Sequence, residues 1–464
     1  MKNNYYLSID VGASSGRFFV TKFNQDDSLS LIEVYRFQNK LIEDDRLYWD
    51  FKHLFKEILI GLQIAINKFP NIKKIGIDTW GCDYGLIDFE GNLIRNPISY
   101  RDRDHLKNSK EAKKIVPFDK LYKETGIQDL SFNTIYQLFA NFNNEKKLMK
   151  QVKYFLMIPD LIAYYLTGNA RLELTNLSTT SMLNPNTLNI IDYIQDLGIN
   201  KNIFAPLIKP GESYGFIKEK YNLGKVEVVA VSSHDTASAT LTLNQEKDSM
   251  FISSGTWSLI GKIIKSPIIN NEVKKENISN ELGLNHIKFL KNTSGLFVLN
   301  ECMKEWQIEN RNLTITTINN KVEKINGHLL PIDLSKEIFL YPNNMSQKIK
   351  DEYLNKYNEE IYLKEEIAKV IYISLVNGYK EVINKIETIT NETIKRITII
   401  GGGSLNKTLN NLIRSTLNID VNIGFNEASV IGNAMVLWFS DNKFNSYEDI
   451  RNKLKSMEIV YEKI

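Results

Sequence analysis

Apolar and polar positions recur along this chain with two periods, and the switches between them mark its elements. The run YYLSID leads into VGASSG and then RFFVTKF. Two β-rich runs around a glycine-bracketed turn predict a hairpin whose turn exposes backbone N–H groups and hydroxyls. A helical period follows in DFKHLFKEILIGLQIAINKF, with Phe51, Leu54, Phe55, Ile58, Leu62, Ile66 and Phe69 on one face. The apolar run KKIGIDT, ending in WGCDYGLID, predicts a buried strand. Strand, helix, strand in that order indicates an α/β domain.

Residues 110–210 are predicted mainly helical, with LFANFNNEKKLMKQ and YFLMIPDLIAYYLTG as the clearer pieces and Gly168 as a C-cap. Sheet signals return at KVEVVAV and at DSMFISSGTWSLIGKII. The second repeats the form of the N-terminus, strand then small-residue turn then strand, which predicts two related halves. Residues 265–285 and 307–360 are polar and poorly periodic, as surface connections are. A long helix is expected in LKEEIAKVIYISLVNGYKEVINKIE, with Ile367, Val370, Ile371, Leu375, Tyr379, Val382 and Ile386 on one face. The strand of RITIIGGGSLN and the helix KTLNNLIRSTLN come next. EASVIGNAMVLWF then reads as a small-residue helix able to pack closely on a neighbour. The domain boundary is expected near residues 240–248, giving domains 1–244 and 245–464.

The chain's 464 residues exceed one ordinary core, in keeping with two or three domains. Hydrophobic content of 43% and charged content of 24% are those of a globular protein. A formal charge of +3 gives no support to a nucleic-acid or membrane-surface role. Cys82 and Cys302 form no CxxC pair, so neither a disulfide framework nor a zinc site is indicated. His53, His105, His234, His286 and His328 are not spaced as a metal cluster. Asp10 interrupts the first apolar run, so no signal peptide is read there, and no apolar stretch approaches the roughly 20 residues of a membrane span. A cytoplasmic protein is expected, with a monomer compatible with the sequence.

The chemistry gathers at small-residue turns. No G-x-x-x-x-G-K-[ST] loop exists, since GTWSLIGKI from Gly255 has one residue too many and Ile263 where a hydroxyl is needed. No G-x-G-x-x-G occurs either. Three turns follow strands instead: DVGASSGR (10–17), SSGTWS (253–258) and GGGS (401–404). Each alone reads as a plain hairpin or helix entry, but together in a two-half α/β chain they suit phosphate. Asp10, ending the first strand, is placed to hold Mg2+ through water, and Arg17 to face a phosphate. The stretch VSSHDTASAT (231–240) sets His234 and Asp235 at the mouth of a strand among small residues. There Asp235 is either a general base or the cap of the helix beginning TASATL, and both roles are compatible. His234 is either a ligand contact or a satisfied core histidine. Trp80 and Trp257 either wall a pocket or belong to the core. No G-x-S-x-G elbow supports a Ser–His–Asp hydrolase.

The ordered strings SIDVGASSGR, GIDTWGCDYG, YRDRD, VVAVSSHDTASA, ISSGTWSLIG, IIGGGSLN and EASVIGNAMV resemble the FGGY carbohydrate kinases of the actin-like ATPase superfamily. The resemblance runs over residues 5–440. It implies two actin-like (ribonuclease H-like) α/β domains with a catalytic cleft between them, sugar on the first and ATP–Mg2+ mainly on the second. It further implies that Ala13, Ser14, Ser15, Gly16 and Arg17 meet ATP phosphates, with Asp10 near the metal. Gly81 lies against the sugar, with Trp80 and Asp83 as neighbouring pocket candidates. His234, Asp235 and Thr236 meet sugar hydroxyls, with Asp235 as the base. Thr256 belongs to the second phosphate turn, Asn292 contacts substrate and Gly402 sits at the nucleotide. Asn300 stands where the family places a glutamine near ATP, and Cys82 where it places valine. The implied reaction moves the γ-phosphoryl of ATP to the primary hydroxyl of L-rhamnulose. Kinases for L-fuculose or D-xylulose and a non-catalytic actin-like nucleotide switch are the alternatives.

Overall fold

A computed structural model of the chain describes residues 5–24, 26, 28–244 and 246–464 and divides them into two units. The first begins with the expected hairpin, β1 (Tyr5–Val11) and β2 (Ser15–Phe23), extended by β3 (Leu29–Gln38). The Asp50 side chain accepts from His53 N at 2.9 Å and so starts α1 (Phe51–Lys68). This helix buries Phe51, Leu54, Ile58 and Leu62 as its period requires, while Phe55 and Ile66 stay half-buried. β4 (Ile72–Thr79) returns parallel to β1. The expected helix over YFLMIPDLIAYYLTG is two elements. Val152–Met157 is a strand paired with Tyr84–Asp88, and only Ile158–Thr167 is helical. Pro159 sits in the first turn of that helix, where its missing N–H is no loss, and Gly168 ends it at φ 89°. Later in the chain come β5 (Ser213–Phe216), β6 (Glu227–Val229), which runs parallel to β4, and α2 (Asp235–Thr240).

The second unit comprises described residues 246–263 and Phe289–Glu427. Its hairpin is β7 (Ser249–Ser254) with β8 (Trp257–Ile264), followed by β9 (His286–Ser294) and α3 (Phe297–Glu309). α4 (Lys364–Thr390) buries all seven of the residues assigned to its apolar face. β10 (Arg396–Ile400), α5 (Lys407–Leu417) and β11 (Asp420–Ile423) complete it. The strands lie in the order β9-β8-β7-β10-β11, with β10 parallel to β7 and β11 parallel to β10. In the first unit β3-β2-β1-β4-β6 follow the same order of third, second, first, fourth and fifth, with parallel pairing at the same places. The repeated strand–turn–strand pattern in the sequence is thus a repeat of topology.

The chain then forms α6 (Ala428–Ser440) and β12 (Ile459–Lys463), which pack with the first unit. α6 is apolar nearly all round and covers α2, β1 and β4, and β12 pairs parallel with β3. The first sheet therefore reads β5-β6-β4-β1-β2-β3-β12. Residues expected to form one domain over 245–464 are divided: Ile264–Lys288 and Ala428–Ile464 belong with the first unit. The reason is burial, since a helix with Val430, Ile431, Met435, Val436 and Trp438 inaccessible must be enclosed, and α2, β1 and β4 enclose it.

The polar stretches expected as connections also carry elements. Asn271–Lys275 is a helix and Ser279–Gly283 a buried strand within 265–285, and Ile315–Val322 and Met345–Tyr357 are helices within 307–360. Both short helices start at side-chain caps, Val273 N donating to Asn270 Oδ1 and Thr317 N to Thr314 Oγ1.

Candidate active site

Parallel pairing brings the C-terminal ends of β1, β4 and the segment after β6 to one edge, the position where open α/β sheets bind ligands. Asp10 and Asp78 are side by side in the β1–β4 register. Beyond β6, Thr79 N donates to Ser233 O at 2.8 Å and Thr79 pairs with His234, so the HDT stretch prolongs the sheet. Asp10 is paired with Arg17, its antiparallel neighbour, and accepts from Ser429 Oγ at 2.8 Å. Asp78 is wholly buried. Its Oδ2 accepts from Asn433 Nδ2 at 2.6 Å, and its Oδ1 has no hydrogen-bond partner among the described residues. Burial, then the Asp10 carboxylate, pushes Asp78 well above the usual carboxylate range.

Asp235 stands next to this pair. His234 is the N-cap of α2, in extended conformation, and Asp235 is the first helical residue. The capping expectation is thus off by one position: Asp235 Oδ1 accepts from the N–H (2.5 Å) and Oγ1 (3.1 Å) of Thr236 within the first turn. Its Oδ2 accepts no hydrogen bond among the described residues, and 35% of the side chain is exposed. Burial and the Asp10 carboxylate push Asp235 up to about 6, against the opposing bonds from Thr236. His234 Nε2 lies 3.4 Å from Asp235 Oδ1, and His234 Nδ1 lies 2.9 Å from Lys288 Nζ. Lys288 in turn pairs with Glu281 at 2.9 Å. Burial, then the nearby lysine, holds His234 well below the usual imidazole range. Thr236 and His234 are both buried.

Glu173 fixes the approach to this loop, its Oε2 accepting Ser233 N (3.1 Å) and Ser233 Oγ (2.5 Å). Asn176 Nδ2 bridges Ser233 O and Trp80 O at 3.2 and 3.3 Å, joining the HDT loop to the TWGCD loop. Gly81 is half-buried, and a Cβ there would meet Thr179 Oγ1 at 2.9 Å. Trp80 and Asp83 are interior. The Asp83 carboxylate accepts from Trp49 Nε1 (2.6 Å), Trp80 Nε1 (3.0 Å), Tyr100 N (3.1 Å) and Gln137 Nε2 (3.2 Å). Trp80 packs its ring 4.5 Å from Trp49, so it is a core residue. Cys82 adopts φ 74°, held by Thr134 Oγ1 on its carbonyl at 2.7 Å, and burial pushes its thiol up.

The first small-residue turn closes by Gly12 N to Ser15 O at 2.9 Å and leaves Ser14 exposed and Ala13 and Ser15 half-exposed. Gly16 is buried, and a Cβ on it would lie 2.2 Å from the Phe37 ring, so packing accounts for that glycine. In the second unit, Gly255 N bonds Trp257 O at 2.9 Å, and Thr256 stays half-exposed at the turn. Gly295, which sequence reading passed over, holds this turn: its Cβ would meet Trp257 C, Thr256 O and Gly255 O at 2.5–2.8 Å. Gly401 takes φ 81° and Gly403 rests on Ser254, whereas Gly402 is exposed with open space at its Cβ position. Asn292 is half-buried near the end of β9, and Asn300 is exposed on α3. Asp10, Arg17, His234, Asp235 and Thr236 come together in the first unit. Thr256, Asn292, Asn300 and Gly402 all belong to the second. Asp78, which lies in the string GIDTWGCDYG without having been singled out there, and Glu281 and Lys288, which no motif marks, join the first group.

No set of three His, Cys, Asp or Glu able to hold a metal exists among the described residues. Mg2+ bound with a nucleotide needs only one or two carboxylates, with phosphates and waters filling its octahedron. The oxygen donors Asp10 and Asp78, one oxygen of the latter unpartnered, fit such an ion. No helix among the described residues is long and apolar enough to cross a membrane.

Comparison with known proteins identifies the family. The profile of the FGGY family of carbohydrate kinases, N-terminal domain, matches residues 5–242, and that of its C-terminal domain matches residues 250–440. The chain is 36% identical over 462 residues to rhamnulokinase of Bacillus subtilis, covering 97% of this chain and 93% of that one. It is 34% identical to rhamnulokinase of Oceanobacillus iheyensis, covering 97% and 96%. Among solved structures, ligand-bound xylulose kinase from Lactobacillus acidophilus superposes with a TM-score of 0.77 at 16% identity, over 97% of this chain and 92% of that one. Plasmodium falciparum glycerol kinase with ADP gives 0.76 at 14%, over 99% and 94%. At such identities the likeness is one of fold, and it bears out the two-domain α/β architecture expected from the sequence.

Proposed function

We propose that this chain, which belongs to the FGGY family of carbohydrate kinases and is an ATP-dependent sugar kinase, phosphorylates L-rhamnulose at O1 with Asp235 as general base. The observation that carries the base assignment is the state of Asp235. Its Oδ1 is held by Thr236, its Oδ2 has no hydrogen bond among the described residues, and it is held near 6, close to the working range of a base. Support for the sugar comes from the relatives, which are rhamnulokinases.

In this reading Asp235 Oδ2 accepts the proton of the sugar's primary hydroxyl as O1 bonds to the γ-phosphorus. The bond from that phosphorus to the β–γ bridging oxygen breaks in line, and ADP leaves with its electron pair. The proton passes from Asp235 to water after release. His234 and Thr236 hold the sugar's hydroxyls with Asp235, Gly81 lies against the sugar and Asn292 contacts it. Thr256, Gly402, Asn300 and the turn Ala13, Ser14, Ser15, Gly16 and Arg17 attend the nucleotide, and Arg17 exchanges Asp10 for phosphate. Asp10 would hold Mg2+ together with ATP through water, and the ion would supply positive charge against that of the transferring phosphoryl. The reaction belongs in the cytoplasm, where ATP is supplied.

The test is kcat/KM for L-rhamnulose, L-fuculose and D-xylulose, read as ADP release. L-rhamnulose is expected to give the largest value. A larger value for another ketose overturns the substrate, and ADP release indifferent to any sugar overturns the transfer.

A further inference from the structure

Lys288 is completely buried, and Glu281, its ion-pair partner, is only 3% exposed. Taking two charges out of water is costly, and apolar residues of similar volume often stabilise as well, so stability alone is a weak reason for such a pair. What distinguishes this pair is its third member. Lys288 Nζ reaches Glu281 Oε2 and His234 Nδ1, each at 2.9 Å. An ammonium carries donors and no acceptor. His234 Nδ1 must therefore be the accepting nitrogen, and the ring proton must sit on Nε2, the nitrogen 3.4 Å from Asp235 Oδ1.

We infer that Lys288, anchored by Glu281, is a positioning residue that holds His234 as the neutral Nε2–H tautomer, with that single N–H turned toward Asp235 and the incoming hydroxyl. The inference rests on the reading of Asp235 as the base. The opposite tautomer would set a lone pair against the Asp235 carboxylate. An imidazolium would form an ion pair with Asp235, stabilise its carboxylate and weaken it as a proton acceptor. The charged and titratable groups around the ring are Lys288 on β9, Glu281 on the strand Ser279–Gly283, and Asp235 on α2, with Asp10 and Asp78 beyond Asp235. His286 lies on the far side of Lys288, bonded to Thr240 and to Leu284 O. Lys288, bonded to Nδ1, thus blocks its protonation.

The direct readout is the 15N spectrum of protein labelled in its histidine rings, with His234 assigned by its loss in His234→Gln. The unsubstituted enzyme is expected to show His234 with Nε2 protonated and Nδ1 bare from pH 6 to 8. A protonated Nδ1 in that range overturns the inference. The variants are Lys288→Met and the charge-balanced double variant Glu281→Leu/Lys288→Met, which leaves no buried charge unpaired if the single variant does not fold. Each folded variant is expected to lose the fixed tautomer and to shift the acid limb of its kcat profile. Its kcat is expected to fall about tenfold with KM for ATP unchanged, the size of one lost charge-assisted contact. A folded double variant with unchanged ring pattern, pH limb and kcat shows the pair to be only structural and sinks the proposal. The ring spectrum is read without substrate, so its outcome is separate from that of Asp235→Asn, which tests the base itself.

Discussion

Gly432 of α6 lies against Ser238 of α2 so closely that a Cβ on the glycine would stand 1.8 Å from the Ser238 carbonyl oxygen. The obstacle is backbone, so it cannot rotate away. Gly432→Ala is expected to force α2 from α6, costing on the order of 2–3 kcal/mol of stability, the upper range for overpacking. Ser238 is one helical turn from Asp235, so kcat/KM should fall as well. Thermal unfolding of the variant checks this, and an unchanged midpoint would contradict the packing.

Asp235→Asn keeps an oxygen to accept from Thr236 and removes only the capacity to take a proton. Transfer to the ketose is expected to fall by about 10²–10⁴-fold, the usual contribution of a general base, with ATP binding retained. Calorimetric titration of the variant with ATP, alongside ADP release, separates the two effects.

The same residue sets a pH signature. Asp235 is raised from 3.8 to about 6, so between those values the folded protein binds more protons than the unfolded chain. Its contribution to stability is full below pH 4 and is lost as pH rises through 6. Asp235→Asn is therefore expected to be more stable than the parent at pH 8, and the gap should close toward pH 4. With a third of the side chain exposed, the gap is on the order of 1 kcal/mol. Urea unfolding at both pH values measures it. In the parent, kcat/KM should decline below about pH 6, where the base is protonated.

Two adjacent glycines separate ligand approach from packing. A Cβ at Gly402 meets open space, whereas one at Gly403 would lie 2.0 Å from Ser254 Oγ. Gly402→Ala is expected to fold with an unchanged melting point and raise KM for ATP about tenfold, as one lost close approach of about 1.4 kcal/mol would. Gly403→Ala is expected to unfold at lower temperature. Melting curves with and without ATP distinguish them.

The placement of Asp10 and Asp235 was legible, because a strand running into a small-residue turn sets the carboxylate that follows it at the sheet edge. Gly168 was legible as a left-handed cap, and the seven apolar residues of α4 were legible from period alone. Asp78 was not singled out, because its role depends on the β1–β4 register and on Asn433, 355 positions away. Glu281 and Lys288 carry no motif and lie in a stretch that read as polar connection. Gly16 drew a ligand reading from its turn, and its packing against the Phe37 ring is a second reason for a glycine that the turn did not reveal. Trp80 and Asp83 stood beside a glycine turn and proved to be two members of one buried hydrogen-bond network.

By itself the sequence determined the α/β class, the repeated hairpin form and most helices, because these depend on neighbours a few residues apart. Tertiary structure decided that α6 and β12 join the first unit, since an all-round apolar helix must be enclosed wherever a matching surface exists. It also decided that Asp10, Asp78 and Asp235 meet and that Lys288 stands behind His234. Those relations come from strand register and long-range burial, which no local pattern encodes.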